Sequence, residues 1–369
     1  MFKNLDKKIK AFNKIITKLN EIEKHFYESG INYRKNYMLP IIDILFEEEI
    51  KKKSIFIKKI KNNLKIYFTL TSRITKDFLL STENIPDHIN EPQTTELINR
   101  ISKKNTNKHL IFGGAFIGDM AMPISQNYKN TKIDKKIHCF EIDKSPLKLL
   151  KMNVSKNRIK NINIVQLALH NLDNVYLDYE IKFDGLTKLT QKNKNFSNKR
   201  VKTISLDTFC TSKKINEISL IHLDIEEAEF NALKGATKIL GRDKLTAPDI
   251  IFEYCTPNTY FMNYGILPTN NLPKKYIHAK NSYICKFLIK FGYHIYAIRD
   301  FSSNIGRKLK NVELININDI HIKNVPHCYN IYATKNIDNL KKYNLIICKN
   351  VHPKLLRHES KKLFWPLSK

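Results

Sequence analysis

Apolar positions along the chain follow two rhythms. From Leu5 to about residue 80 they recur at helical spacing, most clearly at Leu5, Ile9, Phe12, Ile16 and Leu19. Met38–Phe46 and Ile55–Phe68 continue in the same manner, with Pro40 as a break. Ser81–Pro92, with two prolines among polar residues, reads as a linker, and Glu91-Pro92-Gln93-Thr94-Thr95 opens a short helix through Ile101. From His109 short apolar runs alternate with helical segments. The strands expected are Leu110–Phe112, Ile137–Phe140, Ile162–Leu167, Leu220–Leu223 and Ile250–Phe252. The helices expected are Asp119–Ser125 onward, Pro146–Lys156 and Glu227–Leu240. A helix over Tyr283–Phe291, closed by Gly292, and two late strands, Tyr293–Ile298 and Tyr329–Ala333, complete the pattern. Repeated strand–helix units predict an α/β fold with a doubly wound, mostly parallel sheet. The expected organisation is a helical, lysine-rich extension (1–90), a core (91–335) and a basic tail (336–369).

Composition changes this picture little. The 369 residues carry 64 Lys+Arg against 35 Asp+Glu, a formal charge of +29. That charge suits a polyanionic partner such as nucleic acid. Yet the lysines are spread evenly among Asn and Ile, as codon bias alone would produce, so nucleic acid is not the favoured partner. The six cysteines are scattered without a C-x-x-C pair, so no metal site is expected. No stretch approaches the ~20 apolar residues of a membrane span. The amino end lacks the apolar core of a signal peptide. A cytoplasmic protein is therefore expected.

The chemistry concentrates in the core. Gly113-Gly114-Ala115-Phe116-Ile117-Gly118 follows the first strand, and Ile137–Phe140 ends in Glu141. Strand, glycine turn, helix, strand and acid is the order of a nucleoside site, in which an acid at the neighbouring strand tip takes the ribose hydroxyls. The spacing Gly114-x-x-x-Gly118 is not the G-x-G-x-x-G of a dinucleotide dehydrogenase. A further strand ends in Leu223-Asp224-Ile225-Glu226 and runs on through Glu227-Ala228-Glu229 to Leu233-Lys234-Gly235-Ala236.

These pieces, with Asn163–Leu169, Val201–Asp207, Pro248–Glu253 and Phe291–Tyr296, resemble the FkbM family of S-adenosylmethionine-dependent methyltransferases over residues 91–335. The resemblance implies a Rossmann-like methyltransferase that uses S-adenosylmethionine and methylates a hydroxyl oxygen of a sugar or other small metabolite. It implies a cofactor site of Gly114, Ala115, Phe116, Gly118, Glu141, Ile142, Ala168, Leu169 and Asp224. Asp224, Glu226 and Glu253 would handle the acceptor, Asp224 as proton acceptor or orienting group. Glu226 could equally cap the next helix, as acids favour helix amino ends. His222 lies deeper on the strand and reads as structural. Loops around 172–200 and 254–280 would select the acceptor. The chain departs from the family at Phe112, where an acid is usual, at Phe116, where Asn is usual, and at Glu227, where Gly is usual. Those departures also fit a methyltransferase fold without catalysis, binding nucleic acid or an acidic glycan through its basic surface.

Overall fold

Residues of β-strands alternate between the two faces of a sheet, and here that alternation divides the apolar residues into two cores. Leu110 and Phe112 join Leu220, Ile251 and Tyr332 on one face, while Ile111 joins Ile221, Leu223, Ile250 and Ile331 on the other. The computed structural model describes residues 7–12, 39–60, 63–80, 91–129, 136–183, 186–190, 199–255, 282–299, 312–319 and 328–348. Residues 256–281 and most of the amino-terminal helix pattern, Ile16 and Leu19 included, lie outside them.

The chain enters through helices α1 (Leu39–Leu45) and α2 (Glu47–Lys51), a hairpin of β1 (Phe56–Lys59) and β2 (Lys65–Phe68), and α3 (Arg73–Leu80). Next come α4 (Pro92–Lys104), β3 (His109–Gly113), α5 (Ala121–Ser125), β4 (Ile137–Phe140), α6 (Lys144–Lys156) and β5 (Ile162–Val165). A side sheet follows, made of β6 (Ala168–Leu169), β7 (Tyr176–Phe183), β8 (Leu186–Thr190) and β9 (Arg200–Ile204). Then come α7 (Leu206–Ser212), β10 (Ile218–Leu223), α8 (Glu229–Lys234), α9 (Thr237–Leu240), β11 (Asp249–Cys255), α10 (Tyr283–Lys290) and β12 (His294–Ile298). The described chain ends with β13 (Val312–Asn316), β14 (Cys328–Thr334), α11 (Asp338–Lys342) and β15 (Leu345–Ile347).

The main sheet has nine strands in the order β15-β13-β12-β14-β11-β10-β3-β4-β5. β5, β4, β3, β10 and β11 run parallel, and β14 is antiparallel to both β11 and β12. The expected α/β class and mostly parallel sheet are thus present. The chain leaves β3 toward β4 and β5, then returns to lay β10 on the other side of β3. The reversal opens a crevice beyond the carboxyl ends of β3, β4 and β10.

Several elements differ from expectation. Ile55–Phe68 is a hairpin, not a helix. Each of its strands has four residues, too few for a period of two to stand out against Phe56, Ile60 and Leu64 at helical spacing. Asn63, at φ 60°, takes the left-handed conformation that asparagine tolerates in turns. The helix expected over Glu227–Leu240 breaks into α8 and α9 at Gly235, where an added Cβ would meet the His170 carbonyl oxygen at 2.4 Å. Ile162–Leu167 stops at Val165. The 172–200 stretch expected to be loop contains β7 and β8. The expected boundary at 335 falls just after β14, yet the sheet continues: β15 pairs in parallel with β13.

The amino-terminal segment shares one apolar cluster with the core. Phe46, Phe56, Phe68 and Phe78 contact one another in series at ring separations of 5.7, 5.8 and 5.1 Å. They belong to the same cluster as Ile117, Met122 and Leu150. Two asparagines of α6 fasten the hairpin. Asn153 accepts from Tyr67 N at 2.6 Å and donates to Tyr67 O at 3.0 Å and to Ile117 O at 2.9 Å. Asn157 repeats the pair with Lys65 N at 2.7 Å and Lys65 O at 2.6 Å. The two side chains thus act as a substitute strand along the outer edge of β2.

Asn153 is fully buried, so its loss strands polar groups. Asn153→Ala should lower the unfolding free energy by roughly 2–4 kcal/mol, given a cost of about 1–3 kcal/mol per stranded group. Urea titration with amide hydrogen exchange checks this: protection at Tyr67 should fall first, and a loss under 1 kcal/mol, well below that range, would contradict the clamp.

Candidate functional site

The crevice at the strand reversal is a cleft whose walls include Gly114, Phe116, Glu141, Asp224 and Glu226. Each wall comes from one strand end. After β3 the chain must turn sharply, and Gly114 (φ 75°) allows it. The reason for glycine there is packing: a Cβ would sit 1.7 Å from the Asp224 carbonyl oxygen. At Gly118 (φ 85°) a Cβ would sit 2.6 Å from Leu150 Cδ1. Both glycines are required by the packing around them, and Gly114 also lines the cleft. Their missing side chains face protein, bringing the β3 turn against the end of β10 and α6.

Glu141, at the tip of β4, joins the turn to the next segment. Its Oε2 accepts from Phe116 N at 2.9 Å and its Oε1 from Asp143 N at 2.8 Å. Asp143 in turn caps α6 by accepting from Ser145 N. Glu141 is only 7% exposed, and burial pushes its carboxyl up to about 7, against the lowering effect of the two amides. Phe116 reaches its amide to Glu141 at φ 47°. A left-handed Phe is strained by about 1–2 kcal/mol, whereas Asn visits that region more readily. The ring borders the cleft and rests against the core beside Ile117.

The opposite wall follows β5. Leu167, Ala168 and Leu169, with Phe140, Ile142 and Pro146, make an apolar surface. Leu189 of β8 and Ile74 of α3 close its edges. Sequence reasoning missed both, because neither lies near a motif. Of the residues expected at the cofactor, Gly114, Phe116, Glu141, Ile142, Ala168, Leu169 and Asp224 line the cleft. Ala115 and Gly118 lie outside its lining.

Acids gather at the end of β10. Oxygens of Asp224, Glu226 and Glu253 lie within 4.8 Å of one another, a spacing that suits a shared cation, although no metal ligands were expected. Asp224 is half-buried and lines the cleft. Burial, then Glu253, Glu91, Glu226 and Glu229, raise its pKa well above the usual range. Burial also raises Glu229 to about 8. Glu226 (φ 53°) and Glu227 (φ 74°) are both left-handed; glycine at 227 would be the relaxed choice. Glu226 lines the cleft. The carboxylate that serves the helix start is Glu229, which accepts from Ile225 N at 2.9 Å. Glu253 stands behind Asp224 and does not line the cleft.

His222 and Phe112 explain each other. Their rings lie 5.5 Å apart on the face covered by α4, and both are buried. Burial lowers His222 to about 4, so its ring is neutral. Phe112 thus fills core space beneath the cleft instead of entering it.

The sequence over residues 114–301 matches the family model described as the methyltransferase FkbM domain. No curated protein matches the chain. Solved structures that resemble it include precorrin-6y C5,15-methyltransferase from Geobacter metallireducens GS-15, at 12% identity and TM-score 0.32, covering 69% of this chain and 93% of that one. The O-methyltransferase from Bacillus cereus in complex with SAH gives 10% identity, TM-score 0.36 and coverage of 68% and 85%. TYW2 from M. jannaschii in complex with AdoMet gives 11%, 0.32, 76% and 84%. Likenesses this distant carry no argument about ligand or substrate. Among the described residues, no helix is long and apolar enough to cross a membrane.

The raised carboxyls set a pH dependence. A carboxyl whose pKa is higher folded than unfolded stabilises the fold most below its unfolded value, and that stability is lost as pH rises through the folded value. Glu141 and Glu229 place the loss between the ordinary ~4.3 and about 7 to 8. His222, lowered by burial, and His138, lowered to about 3 by burial, His109 and Lys213, act only below their ordinary ~6.5. The unfolding free energy should therefore fall by about 1–2 kcal/mol between roughly pH 6.5 and 8.5. Urea titrations across that range check it, and a flat or rising profile would contradict it.

Proposed function

The chain belongs to the FkbM methyltransferase family, and from that premise we propose that it transfers a methyl group from S-adenosylmethionine to a hydroxyl oxygen of a small acceptor, a sugar or similar metabolite. The protein is a methyltransferase; the cofactor, the acceptor class and the roles of individual residues are our reading. The observation that carries the reading is the convergence at one crevice of Glu141, an apolar wall and a cluster of carboxylates. The donor set fits the cofactor. Ala168 and Leu169 offer a flat apolar wall to a base. Glu141 retains acceptor lone pairs for ribose hydroxyls after its two amide bonds. The carboxylates around Asp224 suit a ligand carrying positive charge.

When bound, S-adenosylmethionine supplies an electrophilic methyl group on a positively charged sulfur. The protein's work is then positioning and proton acceptance. The β3 turn, held by Glu141 and pressed against the Asp224 backbone, fixes the two sides of the cleft relative to one another. That rigidity keeps an acceptor oxygen in line for transfer. Asp224 is the group we assign to the acceptor hydroxyl. Its raised pKa makes it a stronger base when ionised, and a cation beside it favours that ionised form. Glu226, at the cleft surface, is assigned to orient the acceptor, and Glu253 to tune Asp224 from behind. Hairpin β7–β8, which brings Leu189 to the cleft, and residues 256–281 are assigned to acceptor selection.

Calorimetric titration with S-adenosylmethionine tests the reading. We expect saturable binding with one site per chain, and Glu141→Ala should weaken it by about tenfold or more, equivalent to about 1.4 kcal/mol. Asp224→Asn should leave binding nearly intact and lower transfer of labelled methyl to a panel of sugars and other hydroxylated compounds by about 100-fold or more. No binding by folded protein would reject the cofactor assignment. Unchanged affinity in Glu141→Ala would remove that residue from it.

A further inference from the structure

A second cavity, of about 550 Å³, lies at the other rim of the sheet. Asn161, which lines it, immediately precedes β5, whereas the methyl-transfer cleft follows the opposite ends of β3, β4 and β10. Its walls come from the β1–β2 hairpin, from Ser125–Lys129 after α5, and from Lys156–Asn161 at the end of α6. We propose that this cavity binds a small phosphorylated compound, a phosphate ester of a hydroxylated molecule such as a sugar phosphate. The inference is independent of the methyl-transfer reading.

Charge is the first argument. Five of the fourteen lining residues are Lys or Arg and none is acidic, about twice the share that 64 in 369 residues would give. Compositional bias therefore does not account for the lining. Nor does the helix dipole, which favours cations near a helix carboxyl end. That effect covers Lys129, Lys156 and Arg158, but not Lys65, which belongs to β2, or Lys160, four residues past the end of α6. None of the five forms an ion pair among the described residues. Arg158 also holds a strained left-handed backbone (φ 54°) at a position where glycine or asparagine is the relaxed choice.

The second argument is polar and buried. Gln126 Oε1 and Asn161 Oδ1 are enclosed acceptors with no hydrogen-bond partner among the described residues. Their amide nitrogens are engaged, donating to Ser125 Oγ at 3.2 Å and to Ser125 O at 2.8 Å. Buried acceptors left open are uncommon and ask for a donor. Hydroxyl groups on an anionic ligand supply it, while the cations take the phosphate. The walls are also fixed in advance, since Asn157 binds both the N–H and the carbonyl of Lys65. Ordering the site on binding then costs little. The volume lies within the ~300–1,000 Å³ usual for small-molecule sites.

The experiment is calorimetric titration with ribose 5-phosphate, ribose and inorganic phosphate at low salt. Ribose 5-phosphate should bind with a dissociation constant of about 1 mM or tighter, and each fragment about tenfold or more weaker. The exposed double variant Lys129→Glu/Lys160→Glu should weaken ribose 5-phosphate binding about tenfold or more. Lys103→Glu/Lys104→Glu, placed on α4, should leave it unchanged. Tighter binding of a 5′-phosphorylated tetraribonucleotide, lost in the first double variant only, would support the site and make an RNA end the source of its phosphate ester. No binding at about 10 mM, equal binding of ribose, or equal losses in the two double variants would overturn the proposal.

Discussion

The cleft depends on one carboxylate. Glu141 holds Phe116 N with one oxygen and Asp143 N with the other, so the turn after β3 and the start of α6 are both referred to the tip of β4. Backbone amides at such a turn must find acceptors when water is excluded, and Glu141 provides two. The arrangement has a cost on both sides. Burial raises the carboxyl to about 7, and Phe116 sits in a conformation that suits asparagine better. Strain and a perturbed carboxyl at one point are common where a site is held ready for a ligand.

Electrostatics separates the two ends of the sheet. A chain with formal charge +29 nevertheless collects Glu91, Glu226, Glu229 and Glu253 around Asp224. The rim at the start of β5 collects only cations. Net charge alone says nothing of this division. The acidic end suits a positively charged ligand, and the basic end a negatively charged one. Asn153 and Asn157, by fastening the hairpin to α6, build one wall of the basic cavity while also closing the apolar cluster that contains the β3 crossover.

The core strands were legible because four- to six-residue apolar runs, buried on both faces, stand out between polar loops. Glu141 and Asp224 were legible because each ends such a run. The β1–β2 hairpin was not, because Phe56, Ile60 and Leu64 mimic a helical repeat. The β7 strand was legible, since Leu177-Asp178-Tyr179-Glu180-Ile181-Lys182-Phe183 alternates with the period of a strand, although the stretch was expected to be loop. The glycines were found, but not the reason for them: Gly114 and Gly118 are required by neighbouring protein atoms, a tertiary fact that no local pattern encodes. Glu226 was offered two roles by its place before a helix; the structure places it in the cleft lining and shows Glu229, three residues on, accepting the Ile225 amide. The basic cavity was invisible because its five cations come from three separated segments.

The most direct test of the central claim, that Glu141 and the cleft beside it hold an adenosyl group, is a crystal structure with S-adenosylhomocysteine. The account predicts the ribose hydroxyls on the Glu141 carboxylate, the base against Ala168 and Leu169, and the Phe116–Glu141 bond intact. Ligand elsewhere on the molecule, or a cleft occupied by the Phe116 ring with the adenosyl group outside, would contradict it.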